Sequence, residues 1–534
     1  MTYKEGRGTL PHTHPALSST GASGASWTPW VHYDLTVQEY PFRTEPFAHQ
    51  LEEWQSSRDE EARAIFWEQG TGKSKLTIDT AGWLWMRGKI DAVVVVAPNG
   101  VHRNWVAEEF PKHLPESMLA EARMHTYQTS RAATKWHQSA VRDVLHHRGL
   151  AILAMSYDAV MTESGRKALW DFLKKRRCLY VADESRRIKT PGAKRTKRMV
   201  ASGKYAPYRR ILNGTPVPNS PFDLYSQLRF LREKFWLPHS IGSFEGFKTV
   251  FGIFRTGYNG DKEYKVAVDY QNIPRLKKIV DTIGTRVTKD DVLELPPKIF
   301  TRRSFDLAPR QRQVYDQLKE EYMLWLDTQV PCERCGGTGR IEDELLGEEL
   351  CPMCDGKGAV PQSKLVTASM ALVRLLRLQQ VACGYLPPDG DGEPAVDIVT
   401  PNPRLELMRE LAIDLPHSGI IWARFRRDID LIMEMLAAEK IEAVRYDGKV
   451  GDDGRALALE RFQKTRDAQF FVANPAAAGE GLTLTAARSV YYYSNSFDLA
   501  IRLQSEDRAH RIGQEFPVDY TDIIATGTVD EIIV

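Results

Sequence analysis

The chain has none of the features that mark membrane or exported proteins. No apolar run among its 534 residues approaches the length of a bilayer-spanning helix. Its first residues, "MTYKEGRGTL", contain no apolar core of the kind found in a secretory signal. We therefore expect a cytoplasmic protein that does not use a membrane or, for a viral chain, one that acts in the cytoplasm of the host cell.

Cysteine is scarce and the net charge is small. Six cysteines in 534 residues cannot form the dense disulfide framework of a small secreted domain. A formal net charge of +2 does not show how the 72 basic and 70 acidic residues are distributed over the surface. Hydrophobic residues, in contrast, make up 42% of the chain. That fraction is enough to build a core in each of several domains.

Two regions, 45–231 and 403–534, alternate helical stretches with short apolar runs. The runs of the first region are "DAVVVVAPN", "GLAILAMSY", "CLYVADE" and "RRILNGTP". Those of the second are "GIIWARF", "IEAVRYDG", "QFFVANP", "SVYYYS" and "VDYTDIIAT". Continuous apolar runs bounded by turn residues are typical of parallel strands that are buried on both faces. We therefore predict two α/β lobes with parallel sheets, a flexible lead-in over 1–44, and a helical linker or insertion over 232–402.

The segment "FWEQGTGKSKLTID" of the first region has the character of a phosphate-binding loop. Its glycines let backbone N–H groups approach phosphates, its lysine can neutralise the terminal phosphates, and its serine hydroxyl can ligate magnesium. The candidate residues are Gly70, Thr71, Gly72, Lys73 and Ser74. Because Trp67 stands where the full pattern has its first glycine, a glycine turn with an incidental lysine is the alternative interpretation.

Two adjacent carboxylates, Asp183 and Glu184, end the apolar run "CLYVADE". Phosphoryl transfer to water needs one acid to hold the metal and a second to orient the attacking water. A helix start, where acidic side chains meet the helix dipole, is the alternative. Together with the phosphate-binding loop, the pair predicts a site in which Lys73, Ser74 and Asp183 hold Mg-ATP and Glu184 activates water.

Further motifs resemble the Swi/Snf family of ATP-driven DNA translocases in helicase superfamily two. The resemblance rests on "RILNGTPVPNSPFDLYSQLRFL" and "QSEDRAHRIGQ" and runs from about Phe47 to the end of the chain. It implies two RecA-like lobes that clamp ATP and Mg²⁺ between them. It also implies that Gln50 reads adenine and that "VVVVAPNGVHRNWVAEEF" begins the DNA-contacting surface. Gly214 and Thr215 are implied in coupling ATP hydrolysis to movement of the lobes, and Gly479, Gly481 and Thr485 in contacts with DNA backbone and nucleotide.

The block "QSEDRAHRIGQ" carries Arg508 and Arg511. Residues three apart share one face of a helix, as two arginines that reach a γ-phosphate across a cleft would need. An arginine finger of this kind can contribute about 10³ to 10⁵ in rate. A pair of surface arginines is the alternative, and the attached "AHRIGQ" favours the finger.

The chain departs from the family pattern at one place near the acids. The family motif usually continues as Ala-His, whereas Ser185 and Arg186 follow Glu184 here. We expect the position of Arg186 to tune coupling between the lobes. The ending "GTVDEIIV" stops at or just before a helix that relatives continue, so we also expect a missing C-terminal brace.

Four cysteines have the spacing of a zinc site within the segment 331–360. The pattern C-x2-C-x15-C-x2-C is formed by Cys332, Cys335, Cys351 and Cys354. Each pair is followed by Gly-x-Gly, which permits a tight turn under the sulfurs, and zinc takes four thiolates from two such knuckles. The repeats resemble the DnaJ-type zinc module, present in two copies. We expect a structural clasp rather than a DNA reader.

The basic run "RRIKTPGAKRTKR" has two possible interpretations. Its seven basic residues and no acid form either a solvated face or a contact for DNA phosphates at the cleft edge. Phosphate contacts would give affinity for double-stranded DNA with little sequence preference. We therefore predict a double-stranded DNA translocase that remodels or reanneals DNA. A strand-separating helicase on DNA or RNA and a DNA-binding scaffold with decayed ATP hydrolysis stay open as alternatives.

Overall fold

The apolar runs of the sequence form strands in the computed structural model of the chain. The structure describes residues 40–214, 220–259, 262–327, 329–332, 334–343, 347–351, 354–361, 368–386, 395–476 and 482–534. Most of the predicted lead-in therefore lies outside the described residues, and so do three residues of the family resemblance, Thr215, Gly479 and Gly481.

The strands of the described residues are, in chain order, β1 (Ala62–Trp67), β2 (Ala92–Ala97), β3 (Ala122–Thr126), β4 (Leu150–Ser156), β5 (Cys178–Asp183), β6 (Tyr208–Leu212), β7 (Gly252–Asn259), β8 (Lys262–Tyr270), β9 (Gly284–Val287), β10 (Lys298–Phe305), β11 (Gln329–Pro331), β12 (Arg340–Asp343), β13 (Gly347–Leu350), β14 (Ala359–Pro361), β15 (Tyr385–Leu386), β16 (Val396–Asp397), β17 (Gly419–Trp422), β18 (Ala443–Tyr446), β19 (Phe470–Ala473), β20 (Ser489–Tyr492) and β21 (Val518–Ala525).

The α-helices are α1 (Ala48–Ser57), α2 (Lys73–Met86), α3 (Val101–Asn104), α4 (Phe110–His113), α5 (Glu116–Ala120), α6 (Lys135–His146), α7 (Tyr157–Met161), α8 (Glu163–Lys175), α9 (Lys194–Gly203), α10 (Leu224–Leu231), α11 (Phe244–Phe251), α12 (Ile273–Asp281), α13 (Lys289–Val292), α14 (Pro309–Asp327), α15 (Ala368–Ala382), α16 (Pro403–Ile413), α17 (Arg426–Ala438), α18 (Asp452–Leu459), α19 (Leu499–Ala509) and α20 (Asp530–Ile533).

The first lobe is a parallel sheet covered by helices. In the described part of the chain its strand order is β3-β4-β2-β5-β6-β1-β9, and every neighbouring pair is parallel. Strands β2, β4 and β5 are buried along their whole length, as their continuous apolar runs predict. The α/β fold class predicted from sequence is confirmed for this lobe.

The second lobe repeats the parallel arrangement. Its described strands follow the order β10-β21-β20-β17-β19-β18, again with every neighbouring pair parallel. Apolar side chains pack against both faces of this sheet, one core including Trp422 and Phe471 and the other Ile421 and Phe470. The predicted pair of parallel α/β lobes is therefore present.

The segment between the predicted lobes is more than a linker, because it contributes one strand to each sheet. Strand β9 pairs with β1 of the first sheet, and β10 pairs with β21 of the second. Neither strand has a continuous apolar run: β9 has four residues, and β10 is the largely exposed edge strand "KIFTRRSF". The pattern of apolar residues in the sequence therefore did not predict β9 or β10.

The same segment also holds structure that its helical appearance did not predict. The antiparallel hairpin β7–β8 projects after α11, and two further short antiparallel pairs, β11–β14 and β12–β13, surround the cysteines. The two predicted long helices are present as α14 and α15. Within the described residues, no helix is both long and apolar enough to cross a membrane.

Candidate functional site

The phosphate-binding loop follows β1 and leads directly into α2. Gly70 and Gly72 have φ angles of 86° and 89°, a left-handed conformation that favours glycine, and Lys73 is the first residue of the helix. A Cβ atom on Gly72 would lie 1.9 Å from Nε2 of Gln50. The glycine at position 72 is thus required both by the backbone conformation and by the close approach of that side chain.

Gln50 lies across this loop with both ends of its amide engaged. Its Nε2 donates to the carbonyl oxygen of Thr71 over 3.0 Å, and its Oε1 accepts from the backbone N–H of Phe47 over 3.0 Å. The side chain is buried. Gln50 therefore joins the start of α1 to the phosphate-binding loop, and adenine reading by this residue stays a prediction.

Lys73 points back into its own loop. Its Nζ donates to the carbonyl oxygens of Trp67 at 2.8 Å and Glu68 at 3.0 Å. Burial lowers the pKa of Lys73, while the carboxylates of Glu184 and Asp183 act in the opposite direction. The ammonium is thus held at the cleft where those carboxylates also stand, the position that a phosphate-neutralising lysine needs.

The acid pair stands at the carboxyl end of β5, on the same edge of the sheet as the loop. Asp183 accepts hydrogen bonds from the indole Nε1 of Trp105 and from the backbone N–H of Glu184, both over 2.9 Å. Burial and the neighbouring Glu184 raise the pKa of Asp183. A cation that binds beside this buried carboxylate would offset the free-energy cost of burying its negative charge.

Glu184 has an unusual backbone conformation, and one oxygen of its side chain accepts a hydrogen bond. Its φ is 47° and its ψ is 54°, a left-handed conformation that is strained for a residue with a side chain and that occurs preferentially at functional sites. Gln69 of the phosphate-binding loop donates from Nε2 to its Oε1 over 3.2 Å. The strained turn directs this carboxylate toward the loop. Glu184 is also the N-cap residue of the 3-10 helix Ser185–Ile188, so the helix-start alternative describes its position as well.

The two arginines of the second lobe reach the same cleft, but not from one helical face. Helix α19 ends at Ala509, so Arg508 is in its last turn and Arg511 lies beyond it. The predicted shared helical face is therefore wrong, because the chain leaves the helix at His510. Both guanidinium groups nevertheless donate to the carbonyl oxygen of Leu482, Arg511 over 3.1 Å and Arg508 over 3.5 Å.

Arg511 is packed directly against the phosphate-binding loop. A Cβ atom built on Gly70 would lie 3.0 Å from Cβ of Arg511. Burial lowers the pKa of Arg511, and the carboxylates of Glu109 and Asp507 oppose that shift. The glycine that opens the loop to phosphates thus also admits the arginine of the opposite lobe.

A cavity of about 420 Å³ lies between these groups. Its volume is in the range of small-molecule and cofactor pockets, which is roughly 300 to 1,000 Å³. The predicted site residues that line it are Gln50, Gly70, Gly72, Lys73, Ser74, Asp183, Glu184, Arg508 and Arg511. Thr71 of the loop is fully buried and does not line the cavity. Gly481 lies outside the described residues, although nearby Thr483 does line the cavity.

Trp105 and Glu109 are among the lining residues of the cavity that were not predicted for this site. Both belong to the segment "NWVAEEF", which the resemblance assigned to the start of a DNA-contacting surface. The stretch Trp105–Glu109 is a π-helix, a rare local widening that is frequent at functional sites. Glu109 is hydrogen-bonded to Ser74 and lies near Arg511, so this carboxylate interacts with groups from both lobes.

The family of the chain follows from its sequence match. A family model described as the SNF2-related domain matches residues 44–335. The chain belongs to that family. A second model, described as the helicase conserved C-terminal domain, matches residues 404–513. The resemblance that the motifs predicted is thereby confirmed, since the two matches cover the parts of the chain that carry the two lobes.

Curated relatives of this SNF2 chain are longer proteins. "Probable ATP-dependent DNA helicase CHR12" of Arabidopsis thaliana is 26% identical over 480 residues, which cover 87% of this chain and 38% of that protein. "Lymphoid-specific helicase" of Homo sapiens is 24% identical, over 88% of this chain and 58% of that protein. The chain therefore spans less than two thirds of the length of these relatives.

A solved structure is also similar to the chain. The "Sulfolobus solfataricus SWI2/SNF2 ATPase core in complex with dsDNA" is 22% identical and covers 92% of this chain and 91% of that chain. Its TM-score is 0.38.

Arg186, which stands where the SNF2 acidic motif has histidine, contacts residues of both lobes. Nε of Arg186 lies 3.7 Å from Oε2 of Glu184. Its Nη2 donates to the side chain of Gln504 in α19. One guanidinium group thus contacts both the candidate base and the arginine-bearing helix of the second lobe.

A second groove between the SNF2 lobes has a basic rim. Its volume is about 240 Å³, and its lining includes Asn99, Asp158, Arg187 and Arg195 from the first lobe and Arg455 from the second. Asp158 accepts hydrogen bonds from Asn99 and from Arg195, both over 2.7 Å. A phosphate that entered the groove would compete with Asp158 for these donors.

The basic run of the sequence does not form one continuous surface. Arg187 and Arg195 line the groove, whereas Arg186 turns toward Gln504 of α19 in the second lobe. Lys189 pairs with Asp223 over 3.2 Å, and Arg198 donates to two backbone carbonyl oxygens. Sequence alone could not separate these orientations, because the run crosses a 3-10 turn before α9 begins.

The four paired cysteines converge as their spacing predicts. Their sulfur atoms all lie within 4.8 Å of one another, with separations of 3.7 Å for Cys332–Cys351 and 3.8 Å for Cys335–Cys354. A tetrahedron of sulfurs at a zinc–sulfur distance of about 2.3 Å has edges of nearly that length. Backbone N–H groups of Gly339 and Gly358 point at Cys335 and Cys354 over 3.2 and 3.3 Å. The donor set fits a zinc ion.

Proposed function

We propose that this SNF2 chain is an ATP-dependent double-stranded DNA translocase that couples ATP hydrolysis to DNA tracking, remodelling or reannealing. The observation that carries the proposal is the convergence of groups from both lobes on one cavity. Lys73, Ser74 and the acid pair line it from the first lobe, and Arg508 and Arg511 line it from the second. A site divided between two lobes makes ATP binding favour closure and product release favour opening.

Each group has a role that its position supports. Lys73 and the backbone of the phosphate-binding loop bind the phosphates of ATP, and Gln50 contacts the adenine. Glu184 accepts a proton from the attacking water and orients it. Arg508 and Arg511 stabilise the charge that develops on the transferred phosphoryl group, as fixed donors in a water-poor cleft do.

Ser74 and Asp183 are the residues that would hold Mg²⁺, through a hydroxyl and a carboxylate oxygen. Such oxygen ligands are those that Mg²⁺ prefers, and the burial that raises the pKa of Asp183 also makes a cation there favourable. Bound Mg²⁺ neutralises phosphate charge.

Duplex DNA is the proposed partner, held through its backbone with little sequence preference. Support comes from the groove between the lobes, whose arginines belong to both lobes, Arg187 and Arg195 on one side and Arg455 on the other. A backbone held by both lobes is moved when the lobes move relative to each other. A chain that acts on DNA works inside a cell, and the cytoplasm remains our prediction for its location.

Zn²⁺ is the proposed occupant of the cysteine cluster, with a structural role. The cluster lies between α14 and α15, where the strand pairs β11–β14 and β12–β13 are too short to be stable alone. A metal with four protein thiolates has no open coordination position for catalysis. Zinc would therefore act as a clasp for this part of the insertion.

The test measures ATP turnover without DNA and then with duplex, single-stranded or forked DNA. We expect duplex to stimulate most, and Glu184→Gln to abolish turnover while ATP still binds. Strand displacement, with stimulation by single strands equal to that by duplex, would identify a strand-separating helicase instead. Turnover of the unmodified protein no greater than that of Glu184→Gln would leave a DNA-binding scaffold as the function.

A further inference from the structure

The hinge between the lobes begins with a buried lysine. Residues 288–297 connect β9 of the first sheet to β10 of the second, so this short segment joins the two lobes in the chain. Lys289 is the first residue of α13 within it, and only 6% of its side chain is exposed. An ionisable side chain this deeply buried must have compensating partners, because its desolvation is costly.

The partners of Lys289 belong to the arginine-bearing segment of the second lobe. Its Nζ donates to Oδ1 of Asp507 over 2.5 Å and to the carbonyl oxygen of His510 over 2.6 Å. Asp507 directly precedes Arg508, and His510 directly precedes Arg511. The ammonium group of Lys289 is therefore hydrogen-bonded to the residue immediately before each of the two arginines.

The backbone of the same residue is tied to the first lobe. The N–H of Lys289 donates to Oε2 of Glu68 over 3.0 Å, and Glu68 in turn donates its own N–H to the carbonyl oxygen of Val287 over 2.9 Å. Glu68 stands two residues before Gly70 of the phosphate-binding loop. A Cβ atom on Gly70 would lie 3.7 Å from Cε of Lys289, so the lysine stem also packs against the loop itself.

We infer that Lys289 is a positioning residue that sets where Arg508 and Arg511 stand relative to the phosphate-binding loop. The inference rests on the proposed ATPase function. A buried ion pair adds little net stability but specifies one arrangement of the elements that it joins. Here the arrangement joins the hinge, the phosphate-binding loop and the arginine segment. Lys289 itself does not line the nucleotide cavity and acts on phosphate only through the arginines.

The position of an arginine finger affects the transition state more than the bound substrate. Loss of its positioning should therefore lower kcat and leave KM for ATP nearly unchanged. Misplacement of a catalytic group by about 1 Å can cost about 100-fold in rate. For Lys289→Met we expect kcat to fall between about 10-fold and 100-fold. Asp507→Asn, which removes the same ion pair from the other lobe, should have a similar effect.

The chain offers a matched control in Lys298. Its Nζ lies 3.1 Å from Oε2 of Glu506 and 3.6 Å from Oδ1 of Asp507, but its side chain is 24% exposed and its described contacts do not include the carbonyl of His510 or Glu68. Lys298→Met thus removes a charge from the same cluster without releasing the chain next to the arginines. We expect its kcat to stay within about twofold, as for a partly exposed ion pair.

The decisive experiment measures DNA-stimulated ATP turnover of the full chain for the single variants, for Arg508→Ala combined with Arg511→Ala, and for that pair combined with Lys289→Met. If Lys289 acts through the two arginines, adding Lys289→Met will make the Arg508→Ala/Arg511→Ala protein no slower. A further loss of kcat on adding Lys289→Met would overturn the inference, and so would a Lys289→Met protein of unchanged melting temperature with kcat within about twofold of the parent. If Lys289→Met does not fold, the same comparisons with Asp507→Asn decide the question.

Failure of the proposed function gives a different result. In that case the unmodified protein hydrolyses no more ATP than its Lys73→Ala variant, with every DNA substrate. If the unmodified protein does hydrolyse ATP, the behaviour of Lys289→Met and Asp507→Asn tests the positioning role alone.

Discussion

Arg186 of the first lobe donates a hydrogen bond from Nη2 to Oε1 of Gln504 in the second lobe, over 2.8 Å. The two residues are 318 positions apart in the chain and meet because the two lobes lie next to each other in the fold. The same guanidinium group is an ion-pair neighbour of Glu184. We therefore expect a change in the separation of the lobes to be transmitted through Arg186 to Glu184, the candidate base.

Replacement of Arg186 should weaken the coupling between DNA and ATP hydrolysis. For Arg186→Ala we expect DNA-stimulated turnover to fall about tenfold, since a hydrogen bond from a charged donor contributes about 1.5 to 3 kcal/mol. Turnover without DNA should change less. Gln504→Ala should reproduce the effect from the other lobe. Arg186→His with unaltered DNA stimulation would show that the position has no part in coupling.

Loss of the indole N–H of Trp105 should weaken the hold on magnesium. Trp105→Phe keeps an aromatic ring in place but removes the donor that orients Asp183. We expect the Mg²⁺ concentration for half-maximal turnover to rise about 10-fold, in line with losses of about 10-fold to 100-fold for outer-shell partners of metal ligands.

The matched control for this prediction is Trp422→Phe in β17. Trp422 is also fully buried, and its Nε1 has no hydrogen-bond partner among the described residues. Trp422→Phe should lower the stability of the protein through lost packing and leave the Mg²⁺ dependence of ATP turnover unchanged. Equal magnesium dependence in Trp105→Phe and the parent protein would contradict the role given to the indole.

Each chain should bind one zinc ion through its four clustered cysteines. Elemental analysis of the purified protein should give one zinc per chain, and Cys351→Ser should release it because one of four thiolates is lost. Cys178→Ala, a change at a buried thiol in β5, should retain the metal. A zinc content that is the same in Cys351→Ser and Cys178→Ala would exclude the cluster as the site.

The groove arginines should govern DNA affinity through its dependence on salt. Arg455→Ala should weaken binding for every duplex sequence and lower the slope of log affinity against log salt by about 1. Asp158→Asn should strengthen binding, because the carboxylate that now holds Arg195 and Asn99 is neutralised. Filter binding or fluorescence anisotropy at several salt concentrations measures both. Opposite signs for the two variants are required by the groove assignment.

Asp428 should make the second lobe less stable as the pH rises. Burial raises its pKa to about 6, with Ser494 donating to Oδ2 and partly opposing the shift. An unfolded aspartate titrates near pH ~3.9, so between these values the native state binds more protons than the unfolded state. This stabilising contribution is present at low pH and is lost as the pH rises through about 6.

From pH 5 to pH 7.5 the loss amounts to about 1.4 kcal/mol. Asp428→Asn has no ionisable group at this position, so its unfolding free energy should change less between these two pH values. Denaturant unfolding of both proteins at each pH measures the difference. An identical pH dependence in the two proteins would mean that Asp428 is not protonated differently in the native state.

Most of the strands that the sequence predicted are ones that the sheets bury on both faces, and β18, an edge strand of alternating burial, is an exception. Strands β2, β4, β5 and β19 have continuous apolar runs and were expected at these places. Edge strands such as β3 and β10 carry polar side chains toward solvent and therefore resemble loops in the sequence. Their position in the sheets depends on a neighbouring strand far away in the chain, which a local pattern does not reveal.

At the site, the sequence by itself determined the residues whose chemistry depends on local spacing. These are the glycines and lysine of the loop before α2, the acids at the end of β5, and the two cysteine pairs, because each motif is a short segment whose backbone conformation and donor atoms are its own.

Only the tertiary structure decided which side chains distant in the sequence meet. Trp105 faces Asp183 within the first lobe, Arg186 faces Gln504 across the two lobes, and Lys289 between the two sheets faces Asp507, over separations of 78, 318 and 218 residues. Such contacts follow from how the elements of each lobe pack and how residues 288–297 join the two sheets. No local residue pattern contains that information.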